Sequence, residues 1–304
     1  MNFANRLFIV GTDLSISAEY VLLRAIALAK ECNAELRVLH VVPADVHARR
    51  RAEALRSGLG DVGSQMSEML AMLQEDLNKA LGQFAGYSPL ISTEIRVGDP
   101  LQTILEEAHD TDAGLIIVGA HRQDFFADRL LSATSERILR KGDRPVLAVK
   151  RHSANPYRRV LVGTDFSRHA EYALAVATAL ASTAQFHLVH IPTSPDPEAI
   201  GAKVSGDTRA QAEHAAPDAG FEMHMAEMAR RIGLPSRRLT CHVLDSNPGQ
   251  AIERKAKELD ADLIAIGSRG LNPVMQLLLG TVSRHVLLMS DSDVLLARSP
   301  DTGY

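Results

Sequence analysis

Gly11-Thr12-Asp13-Leu14-Ser15-Ile16-Ser17-Ala18-Glu19-Tyr20 returns 152 residues later as Gly163-Thr164-Asp165-Phe166-Ser167-Arg168-His169-Ala170-Glu171-Tyr172, with seven of the ten positions identical. Asp112-Ala113-Gly114-Leu115-Ile116-Ile117-Val118-Gly119 likewise aligns without gaps to Asp260-Ala261-Asp262-Leu263-Ile264-Ala265-Ile266-Gly267. Internal repetition of this kind makes the 304-residue chain a tandem duplication, joined near Lys150–Pro156. The expected domains are residues 1–152 and 153–304.

Within each half, short β-rich runs alternate with helical patterns. Strands are expected at about Leu7–Val10, Glu35–Val41, Ser92–Val97, Leu115–Val118 and Val146–Val149. In the second half they fall at about Val160–Gly163, Phe186–Ile191, Leu239–Leu244, Leu263–Ile266 and Val294–Ala297. Ala18–Lys30, Ser64–Phe84, Leu101–His109 and Asp128–Lys141 read as helices. This rhythm implies parallel strands joined by right-handed crossovers. Runs such as Leu-Ile-Ile-Val show no alternation, which suits strands covered on both faces. The fold class is α/β: two tandem open parallel five-stranded sheets, helices on both faces, related by a pseudo-two-fold axis. Asp99-Pro100 and Asn247-Pro248 each place a capping residue before a proline at a helix start.

Composition narrows the function classes. A formal net charge of -4 gives no electrostatic footprint for nucleic acid. No apolar run approaches the ~18 residues of a membrane helix. Cys32 and Cys241 form neither a metal motif nor a disulfide framework, so a reducing cytoplasm is the expected compartment. Gly58-Leu59-Gly60-Asp61-Val62-Gly63 spells a dinucleotide fingerprint but follows a charged helical pattern rather than a strand. It reads as a loop between helices. The Pro/Ala-rich stretch Pro192–Pro217 also reads as a loop. The histidines form no metal-binding or catalytic set and read as surface or packing residues.

One motif carries chemistry. Gly267-Ser268-Arg269-Gly270 follows the fourth strand of the second half, and Gly280-Thr281 comes nine residues later. Ligands of open parallel sheets bind at the carboxyl ends of strands. Glycine lets a backbone approach a ligand closely, and Gly280-Thr281 opens the last helix with unpaired N–H groups suited to phosphate. Asp165, closing the first strand of the same half, is placed to accept a hydrogen bond from the adenosine part of such a ligand. Arg269 and Arg284 flank the expected phosphates.

On these residues the sequence resembles the universal stress protein family, tandem type, with its G-x2-G-x9-G-[S/T] motif and an Asp closing the first strand. The resemblance covers both halves, down to the terminal strands Pro145–Lys150 and Asp293–Arg298. It implies a Rossmann-like fold of the adenine-nucleotide α-hydrolase kind and ATP, or ADP or AMP, as ligand, with Mg2+ as an optional companion. It further implies that Gly163 and Asp165 line the adenosine end and that Ile191 offers main-chain contacts to adenine. Ile266, Gly267 and Gly270 would hold ribose and phosphate, and Gly280, Thr281 and Val282 the outer phosphates.

The first half keeps Gly11, Asp13, Val41 and Gly119 but has Arg122, Ser132 and Ala133 where the motif needs Gly, Gly and Thr. It reads as degenerate. The expected function is an ATP-binding stress-response regulator, with no catalytic residue assigned because no lysine or general base accompanies the motif. The rival readings are a slow ATPase or nucleotidyl-transfer enzyme, and a nucleotide-free scaffold. Expected partners are an adenine nucleotide and the opposite half, through antiparallel pairing of the terminal strands. A homodimer is a further option.

Overall fold

The computed structural model describes residues 2–15, 18–46, 48–49, 62–82, 90–120, 133–192, 218–267 and 280–300. The first half contains β1 (Leu7–Thr12), α1 (Ala18–Cys32), β2 (Glu35–Pro43), α2 (Val62–Gly82) and β3 (Ile91–Gly98). It continues through α3 (Pro100–Asp110), β4 (Leu115–Gly119), α4 (Ala133–Lys141) and β5 (Val146–Val149). The second half contains β6 (Arg159–Thr164), α5 (Arg168–Leu180), β7 (Gln185–His190), α6 (Asp218–Arg231) and β8 (Leu239–Val243). It closes with α7 (Pro248–Glu258), β9 (Leu263–Gly267), α8 (Thr281–Met289) and β10 (Asp293–Ala297).

All ten strands lie where the repeat and the apolar runs put them. The expectation of two sheets needs correction. The order is β3-β2-β1-β4-β5-β10-β9-β6-β7-β8 in a single ten-stranded sheet. Each half supplies five parallel strands, and β5 and β10 meet antiparallel, with Val294 opposite Ala148, Leu295 opposite Leu147 and Leu296 opposite Val146. The physical reason is the edge. A strand as apolar as Val-Leu-Ala-Val cannot leave its hydrogen-bonding groups open to water at a sheet margin without inviting a partner. Val146–Val149 and Asp293–Ala297 are buried throughout.

Helices cover both faces. One apolar layer packs α1, α2, α5 and α6 side chains on the sheet, among them Leu22, Leu77, Leu174 and Met228. The other packs α3, α4, α7 and α8 through Ile104, Ile138, Ile252 and Val286. The two capping signals are realised: Asp99 Oδ1 accepts from the Gln102 N–H at 3.0 Å, and Asn247 Oδ1 accepts from the Gln250 N–H at 3.5 Å. Among the described residues no helix is long and apolar enough to cross a membrane. Residues 193–217 of the loop expected at Pro192–Pro217 lie outside the described residues, as do Gly58 to Asp61.

A buried polar cluster ties the halves together. Asp293 on β10 accepts from the backbone N–H groups of Lys150 and Arg151 at 2.7 and 2.8 Å, and from the Tyr157 hydroxyl at 2.7 Å. Its Oδ2 lies 3.2 Å from Nε of Arg24 on α1, which also stacks over the Tyr157 ring at 4.3 Å. Arg24 is 2% exposed and Asp293 0%. The pseudo-symmetric positions hold Val176 and Pro145, so the duplication has been broken here by a charge on each side. Lys150 Nζ donates to the Leu287 carbonyl at the end of α8, and Arg298 to the Arg140 carbonyl at the end of α4. Each half therefore supplies a cation to the other half's negative helix terminus.

Candidate functional site

The strand order reverses beside the first strand of each half: the chain runs from β6 to β7 and β8, then returns to β9 on the other flank. A crevice at the carboxyl ends of β6 and β9 follows from that reversal. Gly163 on β6 pairs with Ile266 on β9, which brings the two strand ends side by side. Ser283, in the first turn of α8, donates through Oγ to the Gly267 carbonyl at 3.4 Å and so docks that helix start against β9. Gly163, Asp165, Ile266, Gly267, Gly280, Thr281 and Val282 thus gather at one end of the sheet, with Ile191 at the end of neighbouring β7. Gly270 and Arg269 lie outside the described residues.

The glycines at this end are of two kinds. A Cβ on Gly163 would stand 2.9 Å from Ile252 Cδ1, and one on Gly267 3.0 Å from the Ala170 nitrogen and His169 at the start of α5. Backbone packing at the start of α5 already favours glycine at Gly267, and at Gly163 the Ile252 side chain fills the space a Cβ would take. Gly280 is different. Its φ of -57° and ψ of 150° suit any residue, and an added Cβ would meet only Ser283 Oγ, at 3.9 Å. It leaves α8 with no side-chain cap, whereas Asp99, Ser167 and Asn247 cap α3, α5 and α7. Among the described residues, neither conformation nor packing accounts for a glycine at this helix start.

The turn after the first strand repeats closely between halves. Thr164 Oγ1 accepts from the Phe166 N–H at 3.0 Å and Asp165 Oδ1 from the Ser167 N–H at 3.0 Å. Thr12 and Asp13 do the same for Leu14 and Ser15, at 3.1 and 3.0 Å. These side-chain bonds stabilise a turn that holds Leu14 and Phe166 at φ near 60°. Two histidines complete the pattern. His190 Nδ1 donates to the Thr164 carbonyl at 2.9 Å, and His40 Nδ1 to the Thr12 carbonyl at 2.8 Å. In a neutral ring that bond leaves Nε2 as an acceptor. Sequence reasoning passed over this pair. The signal was His40-Val41-Val42-Pro43 against His190-Ile191-Pro192, a histidine followed by an aliphatic residue at the end of the second strand of each half.

The first half, read as degenerate, nonetheless holds a half-open cleft of about 400 Å³. It lies at the equivalent place, between the ends of β1, β2 and β4 and the starts of α1, α3 and α4. Asp13, His40, Val41 and Gly119 line it, with Tyr20 and Thr134. Ser135 Oγ donates to the Gly119 carbonyl at 2.8 Å, matching Ser283. Arg122 and Ser132 lie outside the described residues.

The remaining histidine pair belongs to the fold rather than to the site. His187 Nδ1 and His242 Nε2 share a hydrogen bond at 3.2 Å on neighbouring strands β7 and β8. Burial first, and then the Lys255 charge, hold both imidazoles below their usual 6.5. The folded state then binds protons less readily than the unfolded chain. Stability from this pair is complete above pH 6.5 and is lost as pH falls through the lowered values. The urea midpoint is expected to drop between pH 7 and pH 5, and His187→Gln should flatten that drop. An unchanged pH slope in the variant would remove the pair from the account. Among the described residues no group of three or more His, Cys, Asp or Glu is placed to hold a metal ion.

Comparison with known proteins agrees with this architecture. The family model described as Universal stress protein family matches residues 5–150 and 156–298. A universal stress protein of Mycobacterium tuberculosis (strain ATCC 25618 / H37Rv) is 26% identical over 302 residues, covering 95% of this chain and 96% of its own. One from Thermus aquaticus is 33% identical over 145 residues, 47% of this chain and 99% of its own. The crystal structure of a universal stress protein from Archaeoglobus fulgidus DSM 4304 superposes with a TM-score of 0.65 at 24% identity, covering 96% of this chain and 98% of that one. That likeness shows the Rossmann-like fold. With both halves matched by the family model, the chain belongs to the universal stress protein family.

Proposed function

We propose that the chain is a regulatory protein that binds an adenine nucleotide, ATP or its ADP or AMP forms, chiefly in its second half. The carrying observation is the start of α8, where Gly280 gives the helix N-terminus no side-chain cap although nothing among the described residues needs a glycine there. The free N–H groups and positive end of a helix suit phosphate oxygens. The exposed Thr281 hydroxyl adds a donor at the same place. In this reading Asp165 receives the ribose, Ile191 offers its main chain to the base, and Gly163, Ile266 and Gly267 shape the floor. Gly280, Thr281 and Val282 face the phosphates, and the sequence motif assigns Gly270 to the ribose and phosphate. Mg2+ would arrive on the nucleotide, held by phosphate oxygens and water.

The two units are residues 1–152 and 153–304, and the cytoplasm is the compartment that fits their two free thiols, Cys32 and Cys241. Thr281→Ala is expected to weaken ATP by about 1.5–3 kcal/mol, the value of a hydrogen bond to a charged group. It should leave adenosine nearly untouched. Isothermal titration with both ligands checks this, and equal losses would reverse the assigned polarity of the site. Time-resolved phosphate release separates a binder from a slow ATPase: the reading predicts no turnover beyond the uncatalysed rate.

A further inference from the structure

We propose that His187 and His242, on neighbouring strands of the second half and outside the proposed nucleotide site, chelate a zinc ion that clips β8 to β7. Phe186 and Leu188 on β7 belong to the apolar layer under α5 and α6, as do Cys241 and Val243 on β8. Strand alternation therefore puts His187 and His242 together on the opposite face, where Lys255 of α7 acts on both. Both rings are half-buried. His187 Nδ1 and His242 Nε2 stand 3.2 Å apart. Two nitrogens bound to a tetrahedral zinc at ~2.0–2.1 Å stand about 3.3 Å apart, and two bound at a right angle about 2.9 Å. The strands thus hold the pair near the tetrahedral spacing.

The coordination chemistry fits. In a hydrogen bond between two neutral imidazoles one nitrogen donates and the other accepts, so one lone pair already faces the gap. Zinc displaces the shared proton, which passes through solvent to the other nitrogen of the same ring. Both histidines stay neutral, and water completes the four-coordinate shell. Imidazole suits zinc, whereas magnesium and calcium take oxygen ligands. Lys255 and Arg159 are the cations that act on the pair, and each already has a carboxylate. Lys255 is 2.8 Å from Glu258 and Arg159 2.5 Å from Asp260. The first half shows that the fold itself does not call for two imidazoles here. Its equivalent positions are Arg37 for His187, Glu94 for His242 and Glu107 for Lys255. There Arg37 pairs with Glu107, and Glu94 with Arg96 at 2.7 Å. Ion pairs fill the place that the second half gives to two metal-ligating side chains.

The test is zinc titration of the full, metal-stripped chain against a chromophoric chelator at neutral pH, with calorimetric melting in parallel. The expected result is a zinc ion bound by this pair and a melting temperature raised by zinc but not by magnesium. His187→Gln and His242→Gln should each weaken that zinc by ~100-fold or more, beyond the usual cost of losing an outer-shell partner, and abolish the rise. His187→Arg/Lys255→Glu rebuilds the first half's ion pair at the same place. It should keep a cooperative metal-free transition and lose the zinc, which separates a lost ligand from a lost fold. Zinc affinity and zinc-dependent melting that survive all three variants would place the metal elsewhere and overturn the proposal. A wild-type melting temperature that zinc leaves unchanged would overturn it as well.

Discussion

Asp293→Ala is expected to destabilise the whole chain by about 3–5 kcal/mol, the loss typical of breaking one partner out of a buried ion pair. The variant leaves the Arg24 guanidinium, 2% exposed, without its buried carboxylate, facing the Asn155 carbonyl and the Tyr157 ring with the Glu31 charge farther along the helix. It also frees the two backbone N–H groups of Lys150 and Arg151 that the carboxylate accepts. Because Arg24 sits on α1 of the first half and Asp293 on β10 of the second, the loss should appear in one cooperative transition. The chain has no tryptophan, so calorimetry and far-ultraviolet circular dichroism are the suitable probes. Arg24→Met/Asp293→Asn should recover part of the loss, since no buried charge is then left alone. Two separated transitions, one unaffected by Asp293→Ala, would mean that the halves are independent bodies.

The second large effect concerns Gly280. Aspartate there is expected to keep or slightly raise the melting temperature while weakening ATP on the order of 100-fold, about 2.7 kcal/mol. The backbone at this position is extended, as an N-cap requires, and among the described residues an added Cβ would meet only Ser283 Oγ, at 3.9 Å. An Asp side chain can therefore cap α8 as Asp99 caps α3, a change worth a few tenths of a kcal/mol over glycine. The same carboxylate would occupy the place proposed for phosphate and repel it. Gly267→Ala should do the opposite to stability, since its Cβ would press on the backbone of α5. A loss of about 1–3 kcal/mol is the usual cost of such overpacking. A Gly280→Asp chain that binds ATP normally would make this helix start a bystander.

These predictions draw on parts of the molecule that the sequence reveals unequally. The strands were legible because Leu115–Val118 and Leu263–Ile266 are apolar without alternation, and because each half repeats the other's order. The antiparallel joining of the halves followed from two terminal strands too apolar to be edges, although the expected fold still counted two sheets where such pairing makes one. Arg24 and Asp293 could not be paired by eye. They lie far apart in the sequence, and their pseudo-symmetric mates are Val176 and Pro145, so the repeat gives no charge to match. The site was half legible. The motif marked Gly267 and Gly280 alike, yet only coordinates distinguish a glycine that makes room for α5 from one that leaves a helix start open. The first-half cavity was missed for a related reason. Its reading as degenerate weighed the loop after β4, whereas its walls come largely from strand ends the half has kept, among them Gly11, Asp13 and His40.

The central claim is that the chain holds adenine nucleotide in the second half, at the start of α8. Calorimetric titration of ATP into the wild-type chain and into Gly280→Asp and Asp13→Ala tests it most directly. The account predicts one ATP per chain in the wild type, retained in Asp13→Ala and lost or reduced on the order of 100-fold in Gly280→Asp. ATP binding that survives Gly280→Asp and disappears in Asp13→Ala would place the nucleotide in the other half and contradict the account.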